Sequence, residues 1–212
     1  MKGHQRYVVI ITGGLASGKD AVSAMLAERG AAVMDVDRIA KEEQENEEVL
    51  TQLVKEFGGD IVDVSGALDR RLLAQRAFAN EGSVARLNAI CWPPLQKRVD
   101  DFIRGDGLLI IQVPLLVESQ AKEQQPTVSR GLRLIELADE IIAVVADENL
   151  RLERAITRGM NPQDARNRLA LQASDEERVA ISDTVFDNNK TLEDLQKQVI
   201  AWYEERTRDG KF

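Results

Sequence analysis

Several residue types on which enzyme chemistry commonly rests are nearly missing from this chain. It has one cysteine, Cys91, and one histidine, His4, in 212 residues. A single thiol forms no intrachain disulfide, which suits a reducing compartment, and Cys91 reads as a small buried hydrophobe rather than a nucleophile. A mechanism here works without a histidine base, so Ser-His-Asp and Cys-His chemistries drop out. Aromatic residues make up 4%, too few for the stacking platforms that hold single-stranded nucleic acid. The formal net charge is -8, so the broad basic surface of a nucleic-acid-coating protein is missing as well. That balance still leaves room for a local Arg and Lys cluster facing a small anion. The apolar run 7-YVVII-11 is too short for a signal core or a membrane span. The expectation is a cytoplasmic protein with no nucleic-acid and no membrane partner; oligomeric state is not legible.

What the chain does have is an ordinary globular composition, 43% hydrophobic and 30% charged, and a length that suits one domain with inserted subdomains. Short apolar runs alternate with segments of helical period. The runs are 7-YVVII-11, 31-AAVMDV-36, 107-GLLIIQV-113, 140-EIIAVV-145 and 182-SDTVF-186. The near-continuous, β-branched ones predict strands covered on both faces, hence an α/β fold with a five-stranded parallel sheet. The long gap between the second and third runs holds 47-EEVLTQLVKEFG-58, 69-DRRLLAQRAFA-79 and a third helical stretch that 93-PP-94 is expected to interrupt. It reads as a helical subdomain inserted in the sheet. The segment 119–131 reads as an exposed polar loop, and 148–172 as two helices broken at 159-GMNP-162, with Asn161 as N-cap and Pro162 at the first helical position. The last helix is expected to open with Thr191 and Asp194 in a near capping box.

The motif richest in chemistry is 12-TGGLASGKDAV-22. Gly13-x-x-x-x-Gly18-Lys19 has the Walker A spacing, with a strand before it and a helix after it. Small residues at Gly13, Gly14, Ala16 and Gly18 let backbone N–H groups curve round a phosphate, the helix N-terminus adds its dipole, and Lys19 adds a full charge. Leu15 and Ser17 complete the turn. Asp20 stands where a Ser or Thr usually offers a hydroxyl to Mg²⁺. Its carboxylate is a hard oxygen ligand for that ion, but it also brings a negative charge to the phosphates.

Beyond the loop, the sequence resembles the bacterial dephospho-CoA kinase family. The resemblance rests on 9-VIITGGLASGKDAVSAMLAERGAAVMDVDRIAKE-42, 56-EFGGDIVDVSGALDRRLLAQRAFAN-80, 113-VPLLVES-119, 166-RNRLALQASDEER-178 and 183-DTVFDNN-189, in that order over most of the chain. It implies a P-loop kinase that moves the γ-phosphate of ATP, with Mg²⁺, to the ribose 3′-hydroxyl of dephospho-CoA. It implies a core at about 1–36, 105–147 and 173–212, a CoA-binding helical subdomain at about 37–104 and a lid at about 148–172. Carried over residue by residue, it makes Asp37 the candidate general base, a role open to a carboxylate at a strand end, with Asp35 beside it for positioning. A helix N-cap at Asp37 is the plainer reading. The resemblance puts Arg154 and Arg158 among the lid arginines that brace the phosphoryl group. The plainer reading there is surface pairing, for example Arg154 with Glu148. It makes Arg70 and Leu115 substrate-side residues and places Asn188 on the adenine-facing loop.

Departures from the family pattern accompany the matches. Asp20 replaces the hydroxyl residue, Gln112 stands where many members carry an acid at the end of the third strand, and Trp92 replaces a His. Asp20 would return to the metal site the charge that Gln112 no longer gives. Asp20 and Trp92 keep two other readings open: a nucleotide-binding sensor or partner protein with impaired catalysis, and a kinase for a different small acceptor.

Overall fold

A computed structural model describes residues 6–114, 116 and 134–212. The expected polar loop at 119–131 and Leu115 fall outside these residues. Five strands form one parallel sheet: β1 (Arg6–Thr12), β2 (Ala32–Asp35), β3 (Gly107–Gln112), β4 (Glu140–Val145) and β5 (Thr184–Asp187), in the order β2-β3-β1-β4-β5. Val8 to Ile11, Ile110 and Ile111, and Ile142 to Val144 have no accessible surface, because helices cover both faces of the central strands. Strand order reverses at β1, which puts the crevice beyond the carboxyl ends of the strands where ligands of such sheets bind.

Alternate residues of β1 feed two cores. Tyr7, Val9 and Ile11 pack with Val22 and Leu26 of α1 (Lys19–Ala27) and Leu195, Val199 and Trp202 of α10 (Leu192–Arg208). Val8 and Ile10 pack on the other face with Ile39 of α2 (Val36–Glu45) and with Leu95 and Val99 of α5 (Glu81–Phe102). A third, separate core joins Val49, Leu53 and Phe57 of α3 (Glu47–Phe57), Ile61, and Leu73 and Ala77 of α4 (Arg70–Ala77). Leu87, Ile90 and Cys91 of α5 pack against it. Burying each such side chain is worth about 1.5–3 kcal/mol, so this small cluster is what holds the insertion together.

Two boundaries differ from the sequence expectation. α5 runs unbroken through Pro93 and Pro94. Its first half packs on the third core and its second half on the sheet, and this tertiary burial outweighs the cost of proline within a helix. The second strand ends at Asp35, and Val36 and Asp37 already belong to α2. Past β4 come α7 (Glu148–Thr157) and α8 (Pro162–Leu171), then α9 (Asp175–Ala180); a short α6 (Leu134–Leu137) precedes β4. Asn161 caps α8 with Pro162 at its start, and Thr191 and Asp194 form the capping box of α10, as the sequence suggested.

Candidate active site

The turn after β1 is shaped by close approaches. A methyl group built on Gly13 would overlap Ser17 Oγ and come within 2.7 Å of the Val144 carbonyl, so only glycine fits there. Gly18 has φ 108 and is the N-cap of α1. Ala16 has φ 56, the one left-handed non-glycine residue among the described residues, a strained conformation of the sort held at functional sites. The turn is closed by Ser17 N donating to the Gly14 carbonyl at 3.1 Å.

The start of α1 differs from those of eight other α-helices. α2, α3, α4, α5, α7, α8, α9 and α10 are each capped by a side chain, from Asp35, Asn46, Asp69, Asn80, Asp147, Asn161, Ser174 and Thr191. α1 has no such cap. Its first N–H groups and its dipole therefore point at the crevice with Lys19 beside them, the arrangement that receives an anion. The Lys19 side chain is mostly buried, and its Nζ lies 3.6 Å from Asp20 Oδ1. Asp20 itself is largely exposed.

Neighbouring strand ends supply the acids. β2 and β3 pair Asp35 with Gln112, and β3 pairs Gln112 with Ile11, the residue before Thr12, so these residues end side by side near the turn. Asp35, not Asp37, caps α2, accepting from Arg38 N at 3.0 Å. The expected cap at Asp37 is thus corrected, because the strand ends two residues earlier. Asp37 is left without capping duty. Partial desolvation in the cleft, followed by repulsion from Asp35, raises its pKa above the usual aspartate range, while Lys41 and Lys19 pull it down. Lys19 is thus close enough to Asp37 for its charge to be felt at the carboxylate, though less than that of Lys41.

From the other side, the α7–α8 arm rests on the turn. Arg154 Nη2 donates to the Asn188 carbonyl at 3.0 Å, and its Nη1 is buried without a hydrogen-bond partner. The surface pair with Glu148 is not what this guanidinium makes. Asn188 is 7% exposed, and its Nδ2 donates to the Ser17 carbonyl at 2.7 Å, so its side chain holds the loop. Arg158 is the exposed C-cap of α7. Arg70 bonds the end of α2, through Gln44 Oε1 and Glu45 Oε1, both at 2.6 Å, and the Lys41 carbonyl at 3.0 Å. Trp92 lies in α5 with its Nε1 buried and without a hydrogen-bond partner. Burial pushes the Cys91 thiol up to about 11, against a nucleophilic role.

Two contacts were not foreseen. Gln172 Oε1 accepts from Leu15 N at 2.7 Å, and Arg151 lies against Gly14. Arg151 was legible in part: four residues before the small Ala155, it places a charge on the face that α7 buries. Gln172 lies in the 166–178 stretch that carries the family resemblance, but nothing there pointed to its contact with the turn.

The family model for dephospho-CoA kinase matches residues 7–194. A dephospho-CoA kinase of Fusobacterium nucleatum is 35% identical over 200 residues, covering 93% of this chain and 97% of that protein. The crystal structure of TT1252 from Thermus thermophilus superposes with a TM-score of 0.74 at 28% identity, covering 95% of this chain and 98% of that one. Dephospho-CoA kinase from Campylobacter jejuni shares the fold, with a TM-score of 0.59 at 16% identity over 94% of this chain and 97% of that one.

Proposed function

The chain belongs to the dephospho-CoA kinase family, and from that premise we propose that it transfers the γ-phosphoryl group of ATP to the ribose 3′-hydroxyl of dephospho-CoA, the last step of coenzyme A synthesis. The observation that carries this reading is the uncapped start of α1, with Lys19 its first residue and Asp37 in the helix that follows the adjoining strand end. The amides of residues 13–20 and Lys19 hold the donor's terminal phosphates. Asp37 accepts the proton of the attacking 3′-hydroxyl. The new bond forms between that oxygen and the γ-phosphorus, the bond from phosphorus to the β,γ-bridging oxygen breaks, and ADP leaves. Arg154, half-buried and with a buried, unpartnered Nη1, stabilises the charge on the phosphoryl oxygens, with Arg158 at the arm's outer end. The helical insertion around the third core, with Asp35 and Arg70 at its border, receives the acceptor. The α7–α8 arm acts as the lid that excludes water. The setting is cytoplasmic.

Mg²⁺ fits the residues present. It takes one or two carboxylates together with substrate phosphates and keeps several waters. Asp20 is a solvent-open carboxylate at the loop with no cap to hold, and Asp35 and Gln112 lie at the adjoining strand ends. Asp20, with Asp35 and Gln112 beside it, would hold the ion, which when bound would supply positive charge against the negative charge developing on the donor's phosphates.

The test is direct. Purified protein with ATP, Mg²⁺ and dephospho-CoA is expected to yield CoA and ADP in equal amounts. Asp37→Asn is expected to lower kcat by about 10²–10⁴-fold while ATP still binds. Absence of 3′-phosphorylated product from wild-type enzyme that binds ATP would overturn the assignment of the acceptor.

A further inference from the structure

The mechanism above leaves one buried charge unused. Arg151 is 6% exposed, and neither its Nε nor its Nη1 has a hydrogen-bond partner. Its guanidinium fills the space where any side chain at position 14 would go: a methyl built on Gly14 would overlap Arg151 Nη1 outright. The nearest carboxylate among the described residues, Asp175 Oδ1, is 3.7 Å away, an ion pair too long for a hydrogen bond. Asp175 is also shared. Arg178, fully buried, lies 3.8 Å from the same oxygen, and Asp175 Oδ2 accepts from Ala146 N at 3.3 Å. Asp175 is thus not reserved for Arg151, whose charge sits directly on the phosphate turn.

A buried cation with incomplete partners costs free energy in the ligand-free protein. The same burial makes its field strong at short range, because little water screens it. Asp20, at the start of α1, brings negative charge, but it is exposed and screened. We propose that Arg151 is a positioning residue that backs the phosphate turn: a fixed cation behind Gly14 that charges the turn for the donor's terminal phosphates. It acts through the loop rather than by leaving its pocket. Glycine at position 14 is the condition for it, since any larger residue would push the guanidinium away.

This rests on the reading of the turn as the donor's seat and is independent of the acceptor. It is tested by calorimetric binding of ATP, ADP and AMP to the full chain and its variants. Arg151→Met keeps the stem and loses the charge. It is expected to weaken ATP and ADP binding by about tenfold or more, with a much smaller loss for AMP. Arg151→Lys is expected to recover most of that loss, because it restores the charge without the fork. Asp175→Asn, which leaves Arg151 in place and removes the carboxylate it shares, is expected to tighten ATP binding relative to AMP. That sign is opposite to what a merely structural defect gives, and it remains readable if Arg151→Met does not fold.

Equal losses for ATP and AMP, a Lys variant as weak as the Met variant, or unchanged or weaker relative ATP affinity in Asp175→Asn would each overturn the proposal. Wild type that binds no ATP would bring down the donor-site reading as well. Wild type that binds ATP with a flat variant series removes only the role of Arg151.

Discussion

The two ends of the sheet treat buried charge in opposite ways. At the amino end, Glu140 opens β4 almost completely buried, and every neighbour answers it. Tyr7 Oη donates at 2.9 Å, Thr184 Oγ1 at 2.5 Å, Trp202 Nε1 at 2.8 Å, and Arg206 through Nε at 2.9 Å and Nη2 at 3.0 Å. Burial alone would raise this carboxyl's pKa, but the donors, led by Arg206, outweigh it and hold it below the usual glutamate range. At the carboxyl end, Thr12 Oγ1, Ser17 Oγ, Arg151 Nε and Nη1, and Arg154 Nη1 are all buried without a hydrogen-bond partner. A satisfied network ties strands to helix and is finished when the chain folds. A cluster of unanswered donors round a strained turn is finished only by something that arrives later. The first is architecture and the second is site, although both sit on the same strands.

The contrast breaks most visibly at Lys19. Lys19→Ala is expected to cut phosphoryl transfer by roughly 10³-fold or more, the scale on which a single charge clamp acts on a transferring phosphoryl group. Its melting temperature in the absence of nucleotide should stay close to wild type, because among the described residues this lysine's ion pair is a long one, 3.6 Å, to the exposed Asp20. Glu140→Ala is expected to do the reverse. Removing one partner of a buried, hydrogen-bonded pair costs about 3–5 kcal/mol. The kinetic constants of the folded fraction should be unchanged, since Glu140 lies at the far end of the strands. Denaturant midpoints and steady-state rates measured on both variants check the pair. A kinetic defect in Glu140→Ala below its melting temperature would mean that the two ends are not independent.

The same division governs what could be read without coordinates. The strands were legible because burial on two faces leaves continuous apolar runs, such as 140-EIIAVV-145. The loop was legible because glycine spacing and Lys19 are local. The cap at Asp35 was missed because 35-DVD-37 offers two equivalent capping acids, and the strand's pairing with β3 decides between them. Pro93 and Pro94 misled because the helix around them is held by two cores that are distant in sequence. Arg151 and Gln172 meet the turn across more than 130 residues, and only the packing of α7 and α8 brings them there. Local chemistry announces itself in the chain, whereas tertiary contacts to a site do so only through oddities such as a charge on a buried helix face.

A smaller effect sharpens the packing at the site itself. Gly14 has ordinary negative φ, so Gly14→Ala meets no backbone penalty and its cost comes from contact with Arg151, with Gln172 Oε1 3.2 Å away. In Arg151→Ala that space is open, and the same substitution should be tolerated better. The double-mutant cycle, read by chemical denaturation without nucleotide, is expected to give a coupling of about 1 kcal/mol. Additive costs would show that the guanidinium moves aside freely and is not pinned on the turn.

The smallest effect turns on sign. Folding lowers the pKa of Glu140, so the stability it contributes is present above the ordinary glutamate value of 4.5 and is lost as pH falls through its lower folded value. Folding raises the pKa of Asp37, chiefly by desolvation and then by Asp35. The native state therefore holds the Asp37 proton more tightly than the unfolded chain does. Acid favours folding at this position as pH falls from the raised value toward the ordinary 3.8, and the ionised form is a modest burden at neutral pH. Asp37→Asn removes that burden. Its melting temperature is expected to lie slightly above wild type at neutral pH and to converge with it in acid. Glu140→Gln should lie below wild type at neutral pH and approach it from beneath as pH falls. The two gaps close in the same direction of pH from opposite sides. A destabilised Asp37→Asn at neutral pH would show that this carboxylate is held by favourable contacts, as Glu140 is, and would remove the electrostatic argument for its being poised to take a proton.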